Sequence, residues 1–224
     1  MKKNNYLHTP TAILVDGAFF LKRYRKCFDG GKDHTPEETA KSLHNYLMKH
    51  LDDFNDLYRI FYYDSQPLDI RSHNPIDGRS INFAMTDIYK FRIALFNELK
   101  KQRKVALRLG YLKSYGDWQI HSQQLKKIFN GKMKFEELTE KDVYLNIKQK
   151  GVDIRIGLDI AALSYKKLVK RIILVSGDSD FVSAAKLARR EGIDVILDPL
   201  WQNIDDRLFE HIDGLRSQIK KPDK

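Results

Sequence analysis

Five short runs of apolar, β-branched or aromatic residues punctuate the chain: Thr11 to Val15, Leu57 to Tyr63, Val105 to Leu109, Arg171 to Val175 and Ile193 to Leu197. Each has the length of a strand. The first and fourth barely alternate between apolar and polar positions, as strands covered on both faces do. Stretches long enough for helices separate the runs, which predicts an α/β fold with a mostly parallel sheet and crossover helices.

Four helices follow from the spacing. Thr35-Pro36-Glu37-Glu38 supplies a cap, a proline and early acids, and leads into Leu43, Tyr46, Leu47, Leu51 and Phe54. A long helix is predicted over Ile81 to Lys101, another over Asp153 to Tyr165, and a fourth over Ser179 to Arg190, stopped by Gly192. The segments Asp64 to Ser80 and Lys113 to Gln149 contain Pro67, Pro75, Gly78, Gly116 and Gly131, and are expected to be irregular. The whole chain, 1–224, is expected to form one domain. Its core would cover about 11–212, with an elaborated middle over 64–150 and a frayed basic tail from Ile219.

Composition narrows the chemistry. A single cysteine, Cys27, excludes an internal disulfide and a cysteine-rich zinc site. The seven histidines show no metal-binding spacing, and there is no Walker loop or Gly-x-Gly-x-x-Gly. No apolar run approaches the roughly 18–20 residues that cross a bilayer, and the polar start of the chain carries no secretory signal. A soluble cytoplasmic protein with no membrane partner is therefore expected. The formal charge of +10 makes an anionic partner attractive, because clustered Lys and Arg gain from counterion release on phosphates.

The acids sit in telling places. Asp16 directly follows the first strand, and Asp178 and Asp180 follow the fourth across Ser176-Gly177; Asp64 and Asp198 also come just after apolar runs. In an open parallel sheet, ligand sites lie beyond the carboxyl ends of the strands, so Asp16 and Asp178 have a physical reason to converge. Two carboxylates about 4 Å apart repel by roughly 4 kcal/mol at an effective dielectric near 20, so several in one pocket call for a cation or for protons. Oxygen ligands select a hard ion such as Mg²⁺ or Mn²⁺. Helix capping accounts equally well for Asp178 and Asp180, but not, on this reading, for Asp16. Asp153 and Asp159 are six residues apart and point about 120° from each other on a regular helix, which leaves open which of them is a ligand. Helix pairing with Arg155 or Lys166 is the other use for Asp159. Ser176 and Ser179 could orient a carboxylate or make local turns.

These same residues carry a resemblance. Ile13-Leu14-Val15-Asp16-Gly17, Lys150-Gly151-Val152-Asp153 continuing to Asp159, and Ser176-Gly177-Asp178-Ser179-Asp180-Phe181 resemble the three motifs of the NYN domain family. That family includes the LabA-like proteins and belongs to the PIN-like nuclease superfamily. The resemblance implies a three-layer α/β/α sandwich around a mostly parallel five-stranded sheet, and metal-dependent cleavage of RNA. It makes Asp16, Asp153, Asp178 and Asp180 the catalytic acids, and these together with Asp159 the ligands of Mg²⁺ or Mn²⁺. One departure is visible: many members have Asn where this chain has Phe19, so a catalytically weak RNA-binding protein is the alternative.

Basic residues near the acids supply candidate contacts to single-stranded RNA. Arg23, Arg25 and Lys26 follow the first motif, Arg71 and Arg79 follow Asp64, and Ser176 and Ser179 belong to the third motif. Tyr89, Tyr111 and Tyr115 lie among the basic residues of Lys90 to Lys113 and could stack on bases or pack in the core. The sequence leaves self-association open.

Overall fold

The computed structural model describes residues 8–222; the polar start, Met1 to Leu7, and the tail residues Asp223 and Lys224 lie outside them. In chain order the elements are β1 (Thr9–Asp16), α1 (Gly17–Cys27), α2 (Pro36–Met48), β2 (Asn55–Gln66), β3 (Arg71–His73), β4 (Ser80–Asn82), α3 (Asp87–Lys101), β5 (Val105–Ile120), α4 (Ser122–Phe129), β6 (Val143–Lys150), α5 (Val152–Tyr165), β7 (Arg171–Val175), α6 (Val182–Arg190), β8 (Asp194–Asp198), α7 (Asp206–Phe209) and β9 (Gly214–Leu215).

The main sheet has seven strands rather than the expected five, in the order β6-β5-β2-β1-β7-β8-β9. All neighbours are parallel except β5 and β6, which form an antiparallel ribbon. The two additional strands escape a search for apolar runs for different reasons. The strand β6, VYLNIKQK, is an edge strand that buries only Val143 and Leu145. The strand β9 is two residues long. The two segments expected to be irregular hold the β3–β4 hairpin, the far half of β5, α4 and β6.

Alternate residues of β1 enter two different cores. Ala12 and Leu14 pack with Ile156 and Ile160 of α5 and Ala185 and Ala188 of α6. Ile13 and Val15 pack with Phe20 and Tyr24 of α1, Leu43 of α2 and Phe96 of α3. Helices therefore cover both faces of the sheet, which explains the lack of alternation in the strand.

Helix boundaries follow local chemistry. At α2 the Thr35 hydroxyl accepts from the Glu38 N–H at 3.2 Å while Glu38 returns a bond to the Thr35 N–H at 2.8 Å, a full capping box. That helix ends at Met48, so Leu51 and Phe54 lie beyond it. The helix expected from Ile81 begins only at Asp87, where Thr86 caps it, and residues 80–82 pair as β4 instead. Helix α1 was not expected from the spacing, although Phe20, Leu21, Tyr24 and Cys27 make its buried stripe. The fraying expected from Ile219 does not begin there: Ile219 packs on the core and its carbonyl accepts from Trp201 Nε1 at 2.7 Å.

The strand order reverses at β1, which has β2 on one side and β7 on the other. That reversal opens a crevice beyond the carboxyl ends of these strands. Asp16, Asp64 and Asp178 all lie there.

Candidate active site

The chain passes from β1 into α1 without a loop, and Asp16 is the residue at the junction. Its Oδ1 accepts from the Phe19 N–H at 3.0 Å, so Asp16 is the N-cap of α1. This corrects the expectation that capping does not account for it: the junction is so tight that the strand-end acid and the cap are one residue. The turn also needs glycine next, because a Cβ on Gly17 would stand 2.5 Å from a Tyr62 ring carbon. The cap occupies one carboxylate oxygen. Burial pushes the Asp16 carboxyl up to about 6 against the opposing Phe19 N–H, and the negative charges of Asp153, Asp64 and Asp178 push it further in the same direction.

The third motif builds a second tight turn. The Asp178 N–H donates to the buried Ser176 Oγ at 3.2 Å, and the Asp180 N–H donates to Asp178 Oδ1 at 2.9 Å, capping a 3₁₀ turn over Ser179–Phe181 that leads into α6. Ser176 thus makes a local turn bond, and Ser179 is half-buried in the turn itself. A Cβ on Gly177 would meet the Gln202 amide at 2.7 Å and the Phe19 ring at 2.9 Å. The bare backbone of Gly177 therefore lets the first and third motifs close on each other, with Phe19 between them.

Asp153 stands in the first turn of α5, after Gly151 at φ 77°. Its carboxyl is raised by burial first and then by Asp178 and Asp180. Asp153 and Asp180 line one open cleft of about 380 Å³ between α5 and α6, with Gly157 and Phe181 in its wall. Four acids from three motifs, Asp16, Asp153, Asp178 and Asp180, are thus brought into one electrostatic neighbourhood.

Asp159 is not brought there. Its Oδ2 accepts from Tyr63 Oη at 2.8 Å and from Arg108 Nε at 3.0 Å, on strands β2 and β5. The expected partner Arg155 turns instead to the Gly151 carbonyl at 2.6 Å. Asp64 joins the acid edge, one residue beyond the Asp16–Tyr63 pairing of β1 and β2. Arg92 grips both of its oxygens, and the Ser65 N–H donates to Oδ1 at 2.8 Å. Burial nonetheless raises its carboxyl above the ordinary value. The signal for Asp64 was in the chain, since it directly follows the apolar run Leu57 to Tyr63 as Asp16 follows Thr11 to Val15; its partner Arg92, 28 residues on, had none.

The candidate RNA contacts divide. Arg23 is committed to the Leu200 carbonyl, at 3.0 Å from Nε and 2.6 Å from Nη2. Arg25 and Lys26 are exposed in the last turn of α1, about 12 Å or more along the helix from Gly17. Lys26 lines a separate cleft with Lys41, Lys49 and Lys221 that none of the five acids enters. Arg71 is exposed on β3, and Arg79 pairs with Asp77 in its own hairpin. Tyr111 and Tyr115 are exposed, and the Tyr115 ring takes the ammonium of Lys113 at 4.8 Å.

Comparison with known proteins decides the family. The NYN domain model matches residues 75–200, more than half of the chain. The chain belongs to the NYN domain family. NYN domains are part of the PIN-like nuclease superfamily and are associated with RNA. The match takes in Asp153, Asp159, Asp178 and Asp180 and begins beyond Asp16. One similar solved structure is the crystal structure of a protein of unknown function, VPA0982, from Vibrio parahaemolyticus RIMD 2210633. It is 15% identical and aligns over 98% of this chain and 99% of that one, with a TM-score of 0.41. No curated protein matches this NYN chain. No helix among the described residues is long and apolar enough to cross a membrane.

Nuclease chemistry on such a site implies a divalent cation. The donors fit one: all are carboxylate oxygens, and Asp16 sits among like charges that a hard cation would neutralise. They do not form a closed cage, for among the described residues no three His, Cys, Asp or Glu stand together as a metal-holding group. That arrangement suits an ion held by one or two carboxylates, with water and substrate oxygens completing its shell, as is usual for Mg²⁺.

Proposed function

We propose that this protein is a divalent-metal-dependent ribonuclease that hydrolyses phosphodiester bonds of single-stranded RNA. The observation that carries the reading is the gathering of Asp16, Asp153 and Asp178 at the crevice where the sheet reverses, where burial and then the neighbouring acids raise the Asp16 and Asp153 carboxyls. One or two carboxylates among Asp16, Asp153, Asp178 and Asp180 would hold Mg²⁺ or Mn²⁺ directly and the others would face its bound waters; the ion would supply charge neutralisation and an activated water. Asp16 Oδ1 is fixed by the Phe19 N–H, which leaves Oδ2 free to face substrate. The Asp178–Asp180 turn and the N-terminus of α5 keep the other acids on short, rigid connections. The net basic charge favours the approach of a polyanion.

The test is cleavage of an end-labelled single-stranded RNA in Mg²⁺ or Mn²⁺ by wild type and Asp178→Asn. The variant is expected to lose about 100-fold or more in rate while keeping its thermal midpoint within a few degrees. Equal cleavage by both proteins would refute the assignment.

Phe19 favours a second reading, that of a catalytically weak NYN protein that binds RNA. Its ring occupies the space beside Gly177 where many family members have an amide. Under that reading wild type binds RNA without cutting it, and Phe19→Asn gains metal-dependent cleavage. Under the first reading Phe19→Asn only loses packing, worth about 1–3 kcal/mol.

A further inference from the structure

Beside the acid edge lies a cavity of about 270 Å³ that the hydrolytic chemistry does not use. It opens beyond the carboxyl end of β2. Phe83, Tyr89, Leu68, Leu112 and Ile147 make its walls mostly apolar, and its polar atoms come from Asp64, Ser65, Arg92 and Gln149. The connection from β2 to α3, carrying the β3–β4 hairpin, forms one side of it. The antiparallel ribbon of β5 and β6 forms the other, through the ribbon face that carries Leu112 and Gln149, which are cross-strand partners. The hairpin is held over the ribbon by Trp118 Nε1, which donates to Ser72 Oγ at 3.3 Å.

Two observations give the cavity a ligand class. The first is the polar rim: the Arg92 guanidinium, partly exposed, and the exposed Gln149 amide stand together at the edge of otherwise apolar walls. The second is position. Asp64 lines the cavity and stands on β2 one residue beyond Tyr63, the cross-strand partner of Asp16. A phosphate at the acids and the base of the same or the next nucleotide can therefore be held together.

We propose that this cavity is a nucleobase pocket, which takes one unstacked base of a single-stranded RNA whose phosphate lies at the Asp16–Asp178 edge. The inference rests on the RNA-directed reading of that edge. A planar heterocycle with one polar rim matches apolar walls with a few fixed polar groups, and enzymes that work on unpaired strands hold a splayed-out base in this manner. Tyr89 and Phe83 offer faces for stacking, the Arg92 guanidinium is held by the Asp64 carboxylate, and the Gln149 amide can meet the base edge. A paired base presents neither a free face nor a free edge, so duplex RNA is excluded by the same geometry.

The experiment measures binding rather than cleavage. The full chain carrying Asp178→Asn is titrated in Mg²⁺ with a single-stranded RNA oligonucleotide, with the same oligonucleotide made abasic at each position in turn, and with its duplex. Removal of one particular base is expected to weaken binding about tenfold, and the duplex to bind no better than that abasic strand. Leu68→Trp, which fills the cavity, should abolish the difference between intact and abasic strands. Gln149→Ala should weaken binding of the intact strand severalfold, leave that of the abasic strand unchanged and keep the thermal midpoint within a few degrees. Equal affinity of intact and abasic strands, or of the filled and unfilled proteins, overturns the pocket, whether or not wild type cleaves RNA. Base-dependent binding by a wild type that cuts nothing would retain the pocket and overturn the nuclease.

Discussion

Asp16 and Asp198 both close a strand of the same sheet at its carboxyl end, and the fold uses them in opposite ways. Asp198 is fully buried and saturated. Tyr46 Oη and His50 Nε2 both reach its Oδ2, the latter at 3.0 Å; the Leu200 N–H and Ser217 Oγ reach its Oδ1 at 2.9 and 2.7 Å. Asp16 is half-buried, has one backbone donor, and faces three other acids. The first carboxylate ties α2, β8 and the C-terminal segment together; the second is left with an open oxygen and a charge problem. Burial alone therefore does not distinguish a structural acid from a functional one. The number of donors facing it does.

The largest effect is expected at the saturated acid. Asp198→Ala would strand the Tyr46 and Ser217 hydroxyls, the His50 imidazole and the Leu200 N–H around a buried gap. Its cost is about 3–5 kcal/mol, read as a shift of the urea unfolding midpoint. Asp198→Asn, which still accepts at one oxygen, is expected to cost less. If Asp198→Ala unfolded at the wild-type urea concentration, the contrast between the two acids would fail.

Asp16 is expected to behave in the opposite sense. Its carboxyl is held at about 6 in the folded chain, above the ordinary 3.8, so the folded state binds the proton more tightly than the unfolded state. Stability from this group is present at low pH and is lost as pH rises through about 4 to 6. Asp16→Asn keeps an oxygen for the Phe19 N–H and removes the cost of ionisation. The variant should therefore be more stable than wild type at pH 8, by roughly 1–3 kcal/mol, and the gain should vanish near pH 4. Saturating Mg²⁺ should offset or reverse the order at pH 8, since an ion at about 100 times its dissociation constant stabilises only the protein that binds it, by about 2.7 kcal/mol. Thermal melts of both proteins at the two pH values, with and without Mg²⁺, test each step.

The same contrast explains what the sequence could disclose. Apolar runs located β1, β2, β7, β8 and the first half of β5, because strands in the middle of a parallel sheet are apolar throughout. The edge ribbon of β5 and β6 was invisible, since half of its residues face solvent and its turn residues resemble those of a loop. The placement of Asp16, Asp153, Asp178 and Asp180 was legible because each stands at a strand end or helix start whose position the pattern fixes. Asp198 satisfies the same positional rule, and only its partners, from residues 46, 50, 200 and 217, reveal its structural role. Arg92 on Asp64 and Leu200 on Arg23 are long-range pairs of the same kind, which no local pattern encodes.

Asp159 gives the smallest and most discriminating effect. It shares a helix with Asp153, yet its carboxylate is engaged by Tyr63 Oη and by Arg108 Nε, whose guanidinium also lies over the Phe61 ring at 5.1 Å. The Tyr63 hydroxyl is correspondingly held in its neutral form, raised by burial and then by the Asp159 charge. Arg108 is substantially exposed, so the ion pair is screened and the tyrosine bond carries most of the contribution. Asp159→Asn retains an acceptor for Tyr63 and loses only the charge, at a cost of about 0.5–1 kcal/mol in thermal melts. Because Asp159 is absent from the charges that burden Asp16 and Asp153, its replacement is expected to leave Mg²⁺ affinity within about twofold of wild type, while Asp153→Asn weakens it tenfold or more. Isothermal titration of Mg²⁺ into the two variants makes the comparison directly. Equal losses in both would mean that Asp159 leaves Tyr63 and Arg108 when the ion binds, and that the donors around an acid describe only its resting state.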